Sequence, residues 1–198
     1  MSSSLIRLRQ LGWNAAVEQR FAAYRGSHQP ARVCRVDDAG ADMAGGSGAI
    51  RATYGGALLC TAAGDATAWP VPGDWVAVRD WPDDRVTLEA VLRRSTLLLD
   101  GDGGVTAANI DTVVDAGGPD LASALAAGQT VAVVGSRDAV SAAVRGVLRD
   151  AMGPGTLPLP RRESATQAVA VPGGGVVVAV PDLETTWSLV TATARRPA

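Results

Sequence analysis

The stretch with the most chemical content runs from a strand-like segment, Thr130-Val-Ala-Val-Val134, through Gly135 into a helical pattern. A strand, a glycine-rich loop and a helix N-terminus in that order cradle phosphate in nucleotide-binding proteins. The chemistry asks for Gly-x-x-x-x-Gly-Lys-Ser/Thr. Glycines let backbone N–H groups wrap the phosphates, lysine reaches the terminal ones, and the hydroxyl holds magnesium. Here the run is Gly135-Ser-Arg-Asp-Ala-Val-Ser-Ala-Ala143, with Val140 in place of the second glycine, Ser141 of the lysine and Ala142 of the hydroxyl. Asp138 adds negative charge where a phosphate would sit. The chain contains no lysine, and all 18 basic residues are arginine. Arg137 lies ahead of the predicted helix, and its planar fork does not reproduce a compact ammonium. Gly135, Ser136, Arg137, Asp138 and Ser141 therefore read as a vestigial phosphate loop, with weak anion affinity left to the backbone near Ser136.

Other reactive side chains are sparse. Cys34, Cys60 and the single histidine, His28, are too few soft ligands for a structural zinc site. The cysteines read as buried thiols in strands. His28 precedes Gln29-Pro30 and reads as a surface residue of a linker. Ser136 and Ser141 have no neighbouring base, so hydrolase chemistry lacks support. Asp37-Asp38 and Asp83-Asp84 fall in turn-like clusters, where aspartate needs no catalytic role.

The elements that position these residues divide into two patterns. Leu5, Leu8 and Leu11 recur at helical spacing, and Asn14 reads as the N-cap of a second helix with Val17, Phe21 and Tyr24 on its apolar face. From Pro30 to about Arg94 the period shortens to two. Five strands are predicted, at 31–36, 49–54, 57–61, 75–79 and 86–92, separated by glycine, aspartate and proline clusters. That pattern suggests a small closed sheet of the OB type. Residues 95–106 read as a connecting loop. Strands at 110–115, 130–134, 168–171 and 176–180 then alternate with helices at 121–127, 140–151 and 183–193. The fold class is accordingly mixed, an all-β OB barrel followed by a truncated α/β domain. The expected division is a helical segment 1–28, the barrel 29–95, a linker 96–106 and the α/β part 107–198.

Seven segments in series carry a family resemblance. They are Leu11-Gly-Trp-Asn14, Pro30-Ala-Arg-Val33, Pro72-Gly-Asp-Trp-Val-Ala-Val78, Val91-Leu-Arg-Arg-Ser95, Ala107-Ala-Asn-Ile-Asp-Thr-Val113, Gly128-Gln-Thr-Val-Ala-Val-Val-Gly-Ser136 and Pro172-Gly-Gly-Gly-Val176. In this order the chain resembles the circularly permuted, small-subunit-dependent ribosome-assembly GTPases of the RsgA type, in a shortened and degenerate form. The resemblance implies an OB domain, a P-loop GTPase-like domain with its guanine-reading motif ahead of the phosphate loop, and a C-terminal zinc domain. It also implies GTP and magnesium as family ligands and the small ribosomal subunit as partner. Against it, Ala179-Val-Pro-Asp182 stands where Asp-x-x-Gly is expected, leaving Pro181 and Asp182 as a vestigial switch. Arg162-Glu-Ser-Ala-Thr-Gln167 retains only Ser164 or Thr166 of a threonine-rich switch. The interval from Val114 to Gly128 is too short for the strand and helix pairs of the guanine-reading motif, and no Cys or His follows Cys60.

The expected function is therefore non-catalytic binding of the small ribosomal subunit or its RNA by a pseudo-GTPase, with no cofactor. Residual GTP binding and hydrolysis, or a protein-interaction scaffold without ribosomal role, are the alternatives. Candidate RNA contacts are Arg32, Arg35, Arg51, Arg79, Arg93 and Arg94, with Tyr54, Trp75 and Trp81 as stacking surfaces. Two readings stay open for each: RNA contact, or, for Trp75, barrel packing and, for the arginines, a solvated face. The net charge of −2 weighs against a large phosphate footprint. No segment is apolar and long enough to span a bilayer, so no membrane partner and a cytoplasmic location are expected. Sheet edges left by the shortening suggest a homodimer.

Overall fold

The computed structural model describes residues 3–118, 120–152, 166–171, 175–181 and 186–192. The helical spacing at the start is realised as α1 (Ser3–Gln10) and α2 (Ala15–Phe21). Asn14 caps α2, its Oδ1 accepting from Ala16 N at 3.0 Å and Val17 N at 3.1 Å. Leu8, Leu11, Val17 and Phe21 are buried together against Trp75, Ala77 and Leu92. The two helices thus seal the outside of the barrel.

The barrel closes in the order β1-β2-β3-β5-β4, from β1 (Gln29–Asp37), β2 (Gly40–Gly45), β3 (Gly48–Tyr54), β4 (Trp75–Asp80) and β5 (Val86–Val91). Closure depends on a short parallel contact between β3 and β5, where Thr53 faces Thr87 and Tyr54 faces Leu88. Inside lie Ala31, Val33, Ala41, Met43, Ala52, Val76, Val78 and Leu88. The OB-like barrel is as expected, but one of its five strands is not. Residues 57–61, read as a strand, belong to helix α3 (Gly56–Gly64). Leu58 and Ala62, four apart, are its buried residues, and Leu58 joins the barrel core. The missing strand is β2, hidden between glycines that read as turns, with Ala41 and Met43 alternating inward.

Two further expectations fail. Residues 96–106, read as a linker, form a hairpin of β6 (Thr96–Leu99) and β7 (Val105–Ala108). Asp100 ties its turn by accepting from Asp102 N at 3.1 Å and Gly104 N at 2.6 Å. Residues 183–193, read as a helix, contain β12 (Ser188–Thr191), which pairs antiparallel with β6; 182–185 and 193 lie outside the described residues. The apolar spacing there is a strand's, not a helix's, once Leu97 and Leu98 supply pairing partners.

The α/β part follows the predicted alternation: β8 (Thr112–Asp115), α4 (Leu121–Ala126), β9 (Thr130–Val134), α5 (Arg137–Met152), β10 (Gln167–Ala170) and β11 (Val176–Val180). The sheet order is β10-β11-β9-β8, parallel except for β10. Its strands are apolar on both faces because both are covered. Leu121, Leu125, Val140, Val144 and Leu148 from α4 and α5 bury Val131, Val133 and Val177. On the other face, Leu98 and Ala107 of the β6–β7 hairpin bury Ala132, Val176 and Val178. No described helix is long and apolar enough to cross a membrane.

Candidate functional site

The connection from β9 to α5 consists of Gly135 and Ser136 alone, since α5 begins at Arg137. Ser136 acts as its cap: Oγ accepts from Ala139 N at 3.3 Å and the carbonyl accepts from Val140 N at 2.9 Å. Arg137 is thus the first residue of the helix rather than ahead of it. Arg137 and Asp138 are exposed and Ser141 is half-buried. Val140 is 2 % exposed, packed in the core shared by α5 and β9. The positions matched to the second glycine, lysine and hydroxyl of a phosphate loop therefore sit inside the first two turns of a regular helix. The N–H of Val140, which a wrapping loop would offer to an anion, is spent within the helix. Thr166 and Pro181 lie at the margins of β10 and β11, each half-buried, whereas Ser164 and Asp182 lie outside the described residues.

Of the six candidate RNA arginines, four are committed internally, Arg32 by burial and Arg35, Arg51 and Arg94 by ion pairs. Arg35 and Arg51 share Asp37 and Asp42: Arg35 Nη2 lies 2.7 Å from Asp42 Oδ2, and Arg51 Nη2 lies 2.7 Å from Asp37 Oδ1. That bond from Arg51, with the N–H of Ala39, lowers the Asp37 carboxyl to about 2. Arg94 grips the fully buried Asp74 with two bonds, Nε to Oδ1 at 2.8 Å and Nη2 to Oδ2 at 2.7 Å, and donates to the carbonyls of Thr67 and Trp69. Burial pushes the Asp74 carboxyl up, against the pull of Arg94. Arg32 is 2 % exposed. Arg51, Arg79 and Arg93 of the six are exposed, and of these Arg51 is paired with Asp37 and Asp42. Arg79 lies over the Trp81 ring at 3.8 Å, with Arg85 5.5 Å from the same ring.

The aromatic candidates fare similarly. Trp75 is 3 % exposed and packs edge-on against Trp13 at 5.0 Å, so the barrel-packing reading holds. Tyr54 Oη lies 2.8 Å from the Asp37 carbonyl and 3.0 Å from that of Gly40, bracing the β1–β2 turn. Trp81 donates from Nε1 to Thr87 Oγ1 at 2.8 Å. His28 is half-buried beside Tyr24 and paired with Ser27 at 2.8 Å. The cysteines correct their expectation in part: Cys34 is half-buried in β1, with burial raising its thiol to about 11, while Cys60 is exposed on α3.

No family model matches the chain. Over 94 residues, 47% of this chain and 25% of the relative, it is 37% identical to the small ribosomal subunit biogenesis GTPase RsgA of Syntrophotalea carbinolica. Within that stretch the chain is similar to an RsgA-type GTPase. It spans about a quarter of the length of that RsgA. Among solved structures it is similar to YloQ, a circularly permuted GTPase, at TM-score 0.43 and 12% identity over 79% of this chain and 72% of that one. For YjeQ from Thermotoga maritima the values are 0.49 and 15%, over 76% and 73%.

An RsgA-type site would hold magnesium and GTP, and the described residues around Gly135 do not fit that group. The turn is too short to wrap a phosphate, no lysine exists to reach one, and Ala142 offers no oxygen to a metal. Among the described residues no three His, Cys, Asp or Glu side chains are grouped to hold a metal ion.

Sequence reasoning missed the cluster that the RsgA-like segments build together. Arg32 Nε donates to Gly73 O at 3.2 Å, Nη1 to Leu11 O, and Nη2 to Asn109 O at 3.3 Å and Thr130 Oγ1 at 2.9 Å. One side chain thereby joins the α1–α2 turn, the barrel and the start of β9. Asn109, at φ 56°, turns its amide onto Gly73 O at 3.1 Å and accepts from Ser95 N at 2.9 Å. Asp111 accepts from Thr130 N at 2.7 Å. The available signal was that six of the seven RsgA-like segments supply its members: Leu11, Arg32, Gly73, Ser95, Asn109 with Asp111, and Thr130. Burial lowers the Arg32 guanidinium to about 10.

Proposed function

We propose that this chain is a non-catalytic binding protein of the RsgA type, a pseudo-GTPase whose partner is the small ribosomal subunit or its RNA, acting in the cytoplasm without GTP or magnesium. The observation that carries the reading is the two-residue passage from β9 into α5, with Ser136 capping the helix and Val140 in the core. Phosphoryl transfer depends on positioned cations around the phosphates, and Gly135, Ser136, Arg137, Asp138 and Ser141 supply one exposed arginine opposed by one exposed carboxylate. In this reading the barrel, about 29–95, and the α/β part, about 107–198, act as one binding unit preceded by the helical segment 1–28. The β6–β7 hairpin is part of the α/β packing, not a tether.

A second reading, a protein-interaction scaffold without ribosomal role, is favoured by the internal pairing of Arg35, Arg51 and Arg94 and the burial of Arg32. Phosphate neutralisation drives much of nucleic-acid affinity, and only Arg79 and Arg93 of the six remain for it.

Two measurements separate these readings. Titration with a fluorescent guanine nucleotide and magnesium is expected to give no saturable signal; micromolar binding with turnover above buffer would overturn the pseudo-GTPase reading. Co-sedimentation with purified small ribosomal subunits at moderate salt is expected for the first reading and not for the scaffold.

A further inference from the structure

A pocket of about 140 Å³ lies where the α1–α2 turn, the barrel and the α/β part meet, and its walls include Asn14, Arg20, Arg32, Ser95, Asp111 and Thr130. The charge it contains is unusual. Arg32 is buried, yet its four hydrogen bonds end on three backbone carbonyls and one hydroxyl, all neutral. Among the described residues no carboxylate forms an ion pair with it within 4.0 Å. Buried charges are ordinarily paired, because removing an ion from water without a counter-charge is costly. A guanidinium has five N–H groups, so one, on Nη1, is left over. That nitrogen lies on the side of Gly12, where an added Cβ would come within 2.7 Å of it, and Gly12 also lines the pocket.

A second cation completes the arrangement. Arg20, half-buried on α2, is held in place by donating from Nη1 to the Arg93 carbonyl at 3.0 Å. Thr130 Oγ1 accepts from Arg32 and so keeps its own proton to donate. Opposing these is one carboxylate, Asp111, whose Oδ2 is engaged by Thr130 N. Two guanidinium groups against one carboxylate leave a net positive wall. The volume suits one tetrahedral ion and is well below the roughly 300 Å³ at which pockets for larger ligands begin.

From this geometry we infer a binding site for a small free oxyanion of the inorganic phosphate or sulfate class, held between Arg20 and Arg32. The ion supplies a directly bonded counter-charge to Arg32, whose nearby carboxylates, Asp111 and Asp74, form no ion pair with it, and ties the N-terminal helices to the barrel and to β9. The site is separate from the β9–α5 turn and does not depend on the function proposed above.

Thermal unfolding of the full chain, followed by intrinsic tryptophan fluorescence, tests it with sodium phosphate against sodium chloride at matched ionic strength. Phosphate is expected to raise the midpoint saturably beyond the chloride control. Dimethyl phosphate, whose methyl caps mimic a nucleic-acid backbone, is expected not to replace it. Arg20→Gln should weaken the apparent phosphate affinity by about tenfold. Asp111→Asn, which keeps an oxygen for Thr130 N, should tighten it by about threefold or more. A phosphate effect equal to that of chloride overturns the assignment, as does one that is the same in the native chain and both variants. Equal stabilisation by dimethyl phosphate overturns the free-ion reading.

Discussion

Replacing Arg94 by methionine tests whether this arginine is a structural clamp or a surface contact for RNA. Its guanidinium makes two charge-assisted bonds to Asp74, which is 0 % exposed, and two more to the carbonyls of Thr67 and Trp69. Without it, Asp74 keeps only Val71 N, at 2.9 Å, as a side-chain partner among these. Removing one member of a buried pair costs about 3–5 kcal/mol, because the other charge stays buried and uncompensated. For a chain of this size that corresponds to roughly 6–20 °C in the unfolding midpoint. The variant should also acquire a pH dependence of defined sign. With Arg94 gone, burial outweighs the bond from Val71 N and the charge of Arg32, and holds the folded-state pKa of Asp74 above the unfolded value. The folded state then binds the extra proton, so stability is present at low pH and lost as pH rises through the folded pKa. Circular dichroism melts from about pH 4 to 8 should therefore show Arg94→Met recovering toward the native chain on acidification. Asp74→Leu combined with Arg94→Met should be less destabilised than Arg94→Met alone. Stability within about 1 kcal/mol of the native chain at neutral pH for Arg94→Met would refute the clamp, since that is the range of an ordinary exposed arginine.

Gly12→Ala should destabilise by about 2 kcal/mol or more in urea unfolding, because Gly12 sits at φ 91° and a Cβ would meet Arg32 Nη1 at 2.7 Å. A cost below about 0.5 kcal/mol would show that the α1–α2 turn is not fixed by Arg32. The Asp37 carboxyl should titrate by NMR near 2, with its stabilising contribution present above the unfolded value and lost as pH falls through 2. In Arg51→Gln that midpoint should return toward the ordinary aspartate range. Rebuilding the phosphate motif by Val140→Gly, Ser141→Lys and Ala142→Ser should lower stability by about 3 kcal/mol or more, from the lost buried side chain and a glycine inside α5. It should gain no magnesium-dependent guanine nucleotide binding by fluorescence titration. Nucleotide binding at micromolar affinity would mean that α5 unwinds at its start.

The parts of the fold read correctly from sequence are those in which local pattern and tertiary packing agree. Val140, Val144 and Leu148 follow a helical face and bury along it, and Asn14 caps the helix that follows it. The misread segments are those in which the deciding partner is distant in sequence. Residues 57–61 are a short apolar run that suits strand or helix, but α3 forms because Leu58 fits the interior of a barrel built from strands on either side of it. Residues 96–99 look like a loop until β7 and the far more distant β12 provide the pairing. Sequence periodicity contains no information about such partners, and β-propensity in particular depends on them.

The arginines follow the same rule in electrostatic terms. An arginine on a predicted strand is ambiguous, because its five donors serve a phosphate or a set of carbonyls equally well. Arg32, Arg35, Arg51 and Arg94 stand in similar sequence surroundings, yet one closes a junction, two neutralise an acidic pair and one clamps a buried carboxylate. What separates these roles is the location of Asp37, Asp42, Asp74 and the carbonyls of Leu11, Gly73 and Asn109, and only the folded chain fixes that. The phosphate turn is the opposite case. Its departures from the phosphate-loop pattern are departures of residue type, the absent lysine and hydroxyl, and these are legible in the order of residues alone. The geometry adds why single substitutions would not repair it: once Val140 is in the core and Ser136 caps the helix, the backbone that should wrap an anion is already hydrogen-bonded to itself.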